Sequence, residues 1–274
     1  MKKGINIFVF AAFSFYFLMS FGSLPRSDAY ALYAAIYAAS FAVPFAAALI
    51  LGRILRAERA PLSFGADAES LSYFAPLVLP LVGLVILVSL AGSLLSSLVG
   101  IDSALVIDEP IGVALVIYAL IPAIGEELVF RYIPIRFIAP HSRASAVFAS
   151  AILFSAIHAS LFQIPYAFVA GVAFAVIDIR CKSVLPSVLI HLVNNILGVL
   201  IAVFAGEAWL LAALIALGAL MVLSIVIICV KVKRYYSDFV SIISHGSVSL
   251  TPPFMIFTAF MLMVAILFLY SEMV

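Results

Sequence analysis

An all-α bundle of membrane-spanning helices is the fold class that this 274-residue sequence predicts. Three observations predict it. Apolar residues make up 67% of the chain and charged residues 10%, with a mean hydropathy of +1.32; soluble domains run near half apolar and about a quarter charged. The apolar residues gather in runs of about 20, the length at which a helix crosses a hydrocarbon core of about 30 Å. Basic residues fall in every second connection between those runs, the alternation that the positive-inside rule describes. A single membrane-embedded domain, 1–274, of about eight or nine spans accommodates the chain. The runs do not alternate polar with apolar as barrel strands would, and in lipid only a helix satisfies its own backbone.

The elements follow in order. Ile5–Phe21 is apolar and preceded by Lys2 and Lys3. Its basic start and apolar core resemble a signal peptide, but no small-x-small cleavage site follows, so it reads as a retained helix. Ala29–Leu51 ends at Arg53, Arg56 and Arg59. Tyr73–Leu98 runs to an acidic connection, and Ile111–Phe137 ends among Arg131, Arg136 and Arg143. Ala144–Leu161 and Tyr166–Ile179 follow, the latter closed by Arg180 and Lys182. Val184–Phe204 and Ala208–Val230 lead to Lys231, Lys233 and Arg234, and Pro253–Tyr270 is the last span; if its prolines begin a loop, eight spans remain. The other connections carry Arg26 as their one cation, with Asp28, Asp102, Asp108, Glu109 and Glu207. This division puts the N-terminus in the cytoplasm of a multi-pass cell-membrane protein. The long connections Gly52–Ser72 and Lys231–Thr251 have room for short interfacial helices. Cys181 and Cys229 form neither a disulfide framework nor a metal cluster, and a net charge of +1 gives no reason to expect a nucleic-acid partner.

Against this apolar background stand Glu126, Glu127 and Arg131 on the fourth span, His158 on the fifth, and His191 with Asn195 on the seventh. An ionisable group at bilayer depth costs a few kcal/mol or more unless it faces a protected interior with partners, so it marks a functional site by default. Adjacent glutamates point about 100° apart on a helix and cannot share one role. Glu127 and Arg131 stand at i and i+4, the favourable order for a pair, which assigns Glu127 to orient the guanidinium and leaves Glu126 free as a general base. His158 supplies a second proton carrier, and His191 and Asn195, again at i and i+4, supply hydrogen-bond donors. Such a set activates water and stabilises the oxyanion formed at a peptide carbonyl.

E-E-x-x-x-R at Glu126–Arg131, F-x-x-x-H at Phe154–His158 and H-x-x-x-N at His191–Asn195, in that order, resemble the CAAX protease and bacteriocin-processing enzyme family of intramembrane glutamate endopeptidases. The turn Arg180-Cys181-Lys182-Ser183 and the following Leu185-Pro186-Ser187 also look like the family's entry to its last motif. The resemblance covers 111–200, the motif-bearing core. It implies a helical bundle with a cavity open to membrane and cytosol, in which Glu126 and His158 activate water, His191 and Asn195 form the oxyanion site, and Glu127, Arg131 and Phe154 support them. It also implies a membrane-associated peptide or protein substrate, lipidated in relatives that cut C-terminal CAAX sequences; the family is often described as metal-dependent, yet the three motifs fit a glutamate-type mechanism with no metal or other cofactor. Tyr132 departs from the glycine that many bacterial members carry there, which bears on helix packing.

Other readings compete. Glu126, His158 and His191 could form the His₂Glu set of a zinc protease, although no H-E-x-x-H is present. The fold could serve as a non-catalytic scaffold or bacteriocin-immunity protein, or as a transporter with a Glu/His proton relay. Among the remaining polar residues, Asp178 reads as an interfacial partner of Arg180, Asn194 as a helix–helix hydrogen bond, and His141 and His245 as loop residues. One tension is visible: at 1.5 Å per residue, His158 lies about 22 Å from Arg143 while His191 lies about 10 Å from its own basic end, so the two meet only if the fifth helix tilts or starts deeper.

Overall fold

The computed structural model describes residues 1–21, 30–98, 107–204 and 207–273; the connection residues Arg26, Asp28 and Asp102 lie outside them. The described residues are predominantly helical, with one isolated bridge between Ser63 and Ser183 and no strand among them. Helices α1 (Lys2–Phe21), α2 (Tyr30–Ile54) and α3 (Ala68–Leu98) match the first three apolar runs. The fourth run is one path, Ile111–Ile138, built of α4 (Ile111–Ala114), a π turn at Leu115–Leu120, α5 (Ile121–Glu127), a second π turn at Leu128–Tyr132, and α6 (Ile133–Ile138). Then come α7 (Arg143–Ala156), α8 (Ile164–Cys181), α9 (Leu185–Val203), α10 (Ala208–Val230), α11 (Val232–Ile243) and α12 (Pro252–Met273).

Among the described residues six helices are long and apolar enough to cross a membrane, or seven if α10 and α11, bent by 73°, form one span. The eight or nine expected spans are not reached on length and composition. The clearest shortfall is the fifth. Ser142 caps α7, its side chain accepting the Ser145 N–H at 3.0 Å, and the helix stops after 14 residues at Ala156, about 21 Å of rise. Ala159, at φ +50°, takes the left-handed conformation that ends helices. The expected Ala144–Leu161 is therefore too long, and His158 lies in the turn beyond the helix.

All five basic connections meet at one end of the bundle. Lys3 Nζ donates to the Leu55 carbonyl at 3.1 Å. The Ala60 N–H donates to the Arg136 carbonyl and Arg136 Nη1 returns a bond to the Ala60 carbonyl, each at 2.8 Å. Ser63 N–H donates to Lys182 O and Val184 N–H to Ser63 O. Arg180 and Arg234 share Glu69 at 2.9 and 3.2 Å, Arg180 also holds Asp238, and Ser142 donates to the Ser247 carbonyl. The alternation read from the sequence thus becomes one cationic face. An amphipathic helix does occupy the connection after Lys231: α11 buries Ile242 and sets the Tyr235 hydroxyl on the Tyr73 carbonyl. The connection before α3 holds no helix of its own. There Asp67 caps α3, accepting the Ser70 N–H at 2.7 Å, which holds its carboxyl below the usual carboxylate range.

Three apolar cores form, and the two larger ones position the site. One joins α1, α2, the α5–α6 path, α7 and α12 around Phe8, Phe15, Phe41, Phe130 and Phe154; the other joins α3, α8 and α9 around Tyr73, Phe74, Phe174 and Ile190. Gly171 on α8 brings that helix against α7, where an added Cβ would stand 2.8 Å from the Ala151 Cα. Tyr132, the departure from glycine, is accommodated from outside the span. Phe64 of the connecting loop stacks on it at 5.1 Å and Phe45 meets it edge-on at 5.4 Å.

Candidate active site

The polar side chains singled out from the sequence gather at the seam between the two cores. Arg131 is fully buried, its guanidinium lying between the rings of Phe154, at 4.2 Å, and Phe174, at 5.7 Å. A buried cation in this setting needs an acceptor for its charge. Glu127, also fully buried, provides one: its Oε2 is 3.3 Å from Arg131 Nε, an ion pair whose alignment falls short of a hydrogen bond. Arg131 Nη1 donates to the Phe130 carbonyl and to Ser150 Oγ, both at 3.2 Å, and the Ser150 hydroxyl itself donates to Phe130 O.

Glu127 does more than orient arginine. Its Oε1 accepts from His191 Nδ1 at 2.9 Å. A carboxylate only accepts, so Nδ1 carries the proton and the opposite nitrogen, Nε2, faces Glu126 Oε2 at 3.8 Å. Glu126 keeps part of its side chain accessible, 14% against none for Glu127. The two adjacent glutamates thus occupy different surroundings, as their angular separation implies.

His158 is fixed by α7. Its Nδ1 donates to the Phe154 carbonyl at 2.8 Å, one helical turn back, which leaves Nε2 free to accept a proton. Both imidazoles pack edge-on against Phe154, His158 at 5.1 Å and His191 at 5.9 Å between centroids. That contact closes the gap in depth that the sequence left open. Phe154 touches Arg131, His158 and His191, and is more than cavity lining. Between Glu126 and His158 there is no direct bond among the described residues; Glu126 stands instead beside His191. Asn195 lies one turn past His191 on α9, partly buried, its Oδ1 accepting from Asn194 Nδ2 at 3.2 Å. Among the described residues Asn194 therefore bonds its sequence neighbour and not another helix.

Asp178 corrects the reading more sharply. It is fully buried and pairs with Ser187, accepting the hydroxyl at 2.6 Å and the backbone N–H at 3.2 Å. Ser187 sits in the first turn of α9, whose N–H groups lack helical acceptors and favour a carboxylate. Arg180, two residues on, projects elsewhere, since residues at i and i+2 do not face each other on a helix. The sequence reading does not single out Ser150 or Phe174, and it includes Ser187 only in the entry to the last motif. Ser150 and Ser187 had a signal: each stands four residues before a motif residue, extending the stripes to Ser150-Phe154-His158 and Ser187-His191-Asn195. The loop histidines behave as read, His141 Nδ1 lying 3.5 Å from Glu58 and His245 accepting the Arg143 N–H.

Among the described residues no three His, Cys, Asp or Glu side chains gather as metal ligands.

No curated protein and no solved structure matches the chain. Residues 109–197 match a family described as Rce1-like, type II CAAX prenyl endopeptidase Rce1-like. The matched stretch contains every side chain of the cluster from Glu126 to Asn195. Over residues 109–197, about a third of its length, the chain is thus similar to CAAX-type prenyl endopeptidases of the Rce1-like family.

Proposed function

We propose that this multi-pass membrane protein is an endopeptidase that hydrolyses a peptide bond near the C-terminus of a membrane-associated, CAAX-like substrate, with the N-terminus of the enzyme on the cytoplasmic side of the cell membrane. The observation that carries the reading is the division of the cluster into a buried frame and an accessible front. Glu127, Arg131 and Phe154 are enclosed, while Glu126 and His158 remain partly accessible.

In the reaction, Glu126 takes a proton from water as the oxygen attacks the carbonyl carbon, and the carbonyl π pair moves onto oxygen. His191 Nε2, when protonated, and the Asn195 amide donate to that oxyanion. The proton taken up by Glu126 then passes through the free Nε2 of His158 to the departing amine, as the oxyanion's pair re-forms the C=O bond and the C–N bond breaks. Glu127 accepts from Nδ1, so it orients the ring and stabilises the imidazolium in which Nε2 also carries a proton, and Arg131 balances the Glu127 charge.

Proteomics of membranes carrying the wild type or Glu126→Gln, scored for new C-termini, tests the proposal and identifies substrates. Cleavage products should vanish in Glu126→Gln and in His158→Ala while the folded protein remains in the membrane. Full proteolysis of a proven substrate by Glu126→Gln would sink the reading.

A further inference from the structure

At the basic end of the bundle a cavity of about 300 Å³ opens between the loop after α2, the α6–α7 turn, the end of α8 and the segment after α11. Its charged lining is Glu58, Arg59, Arg143, Lys182 and His245. Arg180 and Arg234 hold Glu69, and Arg131 holds Glu127. Arg59, Arg143 and Lys182, in contrast, have no carboxylate partner among the described residues. The one acid in the lining, Glu58, lies 3.5 Å from His141. Three cations around one small space repel each other unless an anion joins them.

The backbone is already occupied. At the start of α7 the Arg143 N–H goes to His245 Nδ1, the Ala144 N–H to the His245 carbonyl and the Ser145 N–H to Ser142 Oγ. An anion would therefore be held by side chains, and His245, accepting at Nδ1, keeps its proton on Nε2 as a fourth donor. The wall on the bundle side is apolar, through Ile135 and Ile179. A site with cations outward and hydrocarbon inward, where helices leave the apolar zone, matches a lipid headgroup better than a free ion.

We propose that this cavity binds the phosphate of an acidic membrane phospholipid, with Arg59, Arg143 and Lys182 as its charged contacts. The site is separate from the Glu126 cluster and does not depend on the peptidase reading.

The full chain in mild detergent, titrated with phosphatidylglycerol or with phosphatidylcholine and followed by native mass spectrometry, tests it. Phosphatidylglycerol should remain bound in preference to phosphatidylcholine. Each cation removed should weaken binding roughly fivefold, so Arg59→Gln with Arg143→Gln should lose about 25-fold, while Arg59→Lys with Arg143→Lys retains it. Should the glutamine pair not fold, Lys182→Asn carries the test, since asparagine tolerates the φ of +51° found there. Equal lipid binding by the wild type and the charge-removing variants would overturn the proposal. So would displacement of the lipid by inorganic phosphate with equal gain in thermal stability, which would make the site one for the free ion.

Discussion

Glu126→Gln and Glu127→Gln exchange the same atoms at neighbouring positions, and the structure demands opposite outcomes. Glu127 has no exposed surface and serves two partners, Arg131 at 3.3 Å and His191 at 2.9 Å. A glutamine there can offer its one oxygen to Arg131 or to His191; its NH₂ then confronts a donor on the other. Arg131 is left buried without a counter-charge, and removing one member of a buried ion pair costs about 3–5 kcal/mol. That is a large fraction of a typical domain stability of about 5–15 kcal/mol. Glu126 has no hydrogen-bond partner at Oε2 and only a 3.8 Å approach to His191. Its neutralisation should change stability by less than about 1 kcal/mol, yet remove a general base worth about 10²–10⁴ in rate. Equilibrium unfolding of both variants in detergent, run beside cleavage of a fluorogenic peptide, separates the two effects. Equal losses of stability, or a Glu127→Gln variant as stable as the wild type, would refute the division of roles.

Three further outcomes follow from other contacts. Phe154→Ala should destabilise by about 3–5 kcal/mol and abolish cleavage, because the ring supports Arg131 and both histidines; Phe154→Leu, which fills the space without a π face, should recover part of the stability and little of the activity in the same assays. Asp67→Ala should lower the melting temperature at neutral pH. The folded-state shift of Asp67 is downward, so its contribution is present above the ordinary carboxylate range and lost as pH falls through the folded value; the difference from wild type should shrink on acidification, and a pH-independent difference would count against the cap. A zinc chelator should leave peptide cleavage unchanged; inhibition reversed by added zinc, with stoichiometric metal in the purified protein, would revive the metalloprotease reading.

What the sequence revealed was set by local periodicity. Apolar runs bounded by charge located the helices, and the spacing of Glu127 and Arg131 located an ion pair that the structure contains at 3.3 Å. Both depend on contacts within one helix. The misreadings concern contacts between helices or breaks in them. Nothing in Ser155-Ala156-Ile157-His158-Ala159 signals that α7 stops at Ala156, since no glycine or proline marks the turn. Sequence proximity pairs Asp178 with the nearest cation along the chain, whereas its partner Ser187 lies across the α8–α9 turn, 2.6 Å away. Helical spacing groups His191 with Asn195 on one face, although its hydrogen bond goes to Glu127 on another helix. A single sequence offers helical angle as a guide and has no comparable guide to which faces meet.

The two π turns show how the backbone helps to bury a charge. Each ends one residue before an Ile-Pro pair: Leu115–Leu120 before Ile121-Pro122, and Leu128–Tyr132 before Ile133-Pro134. Proline lacks an N–H, and its ring crowds the carbonyl four residues back; opening the preceding turn relieves that crowding. For Pro134 the carbonyl left without its helical donor is that of Phe130. A buried carbonyl must find another donor, and a buried guanidinium must find acceptors. Phe130 O and Arg131 Nη1 meet both needs at 3.2 Å, with Ser150 completing the set. Glu127 neutralises the charge of Arg131, but the acceptor that holds its second nitrogen exists because a proline follows three residues later. The sequence unit that specifies this buried cation is therefore longer than the charged motif, running from Glu127 through Arg131 to Pro134.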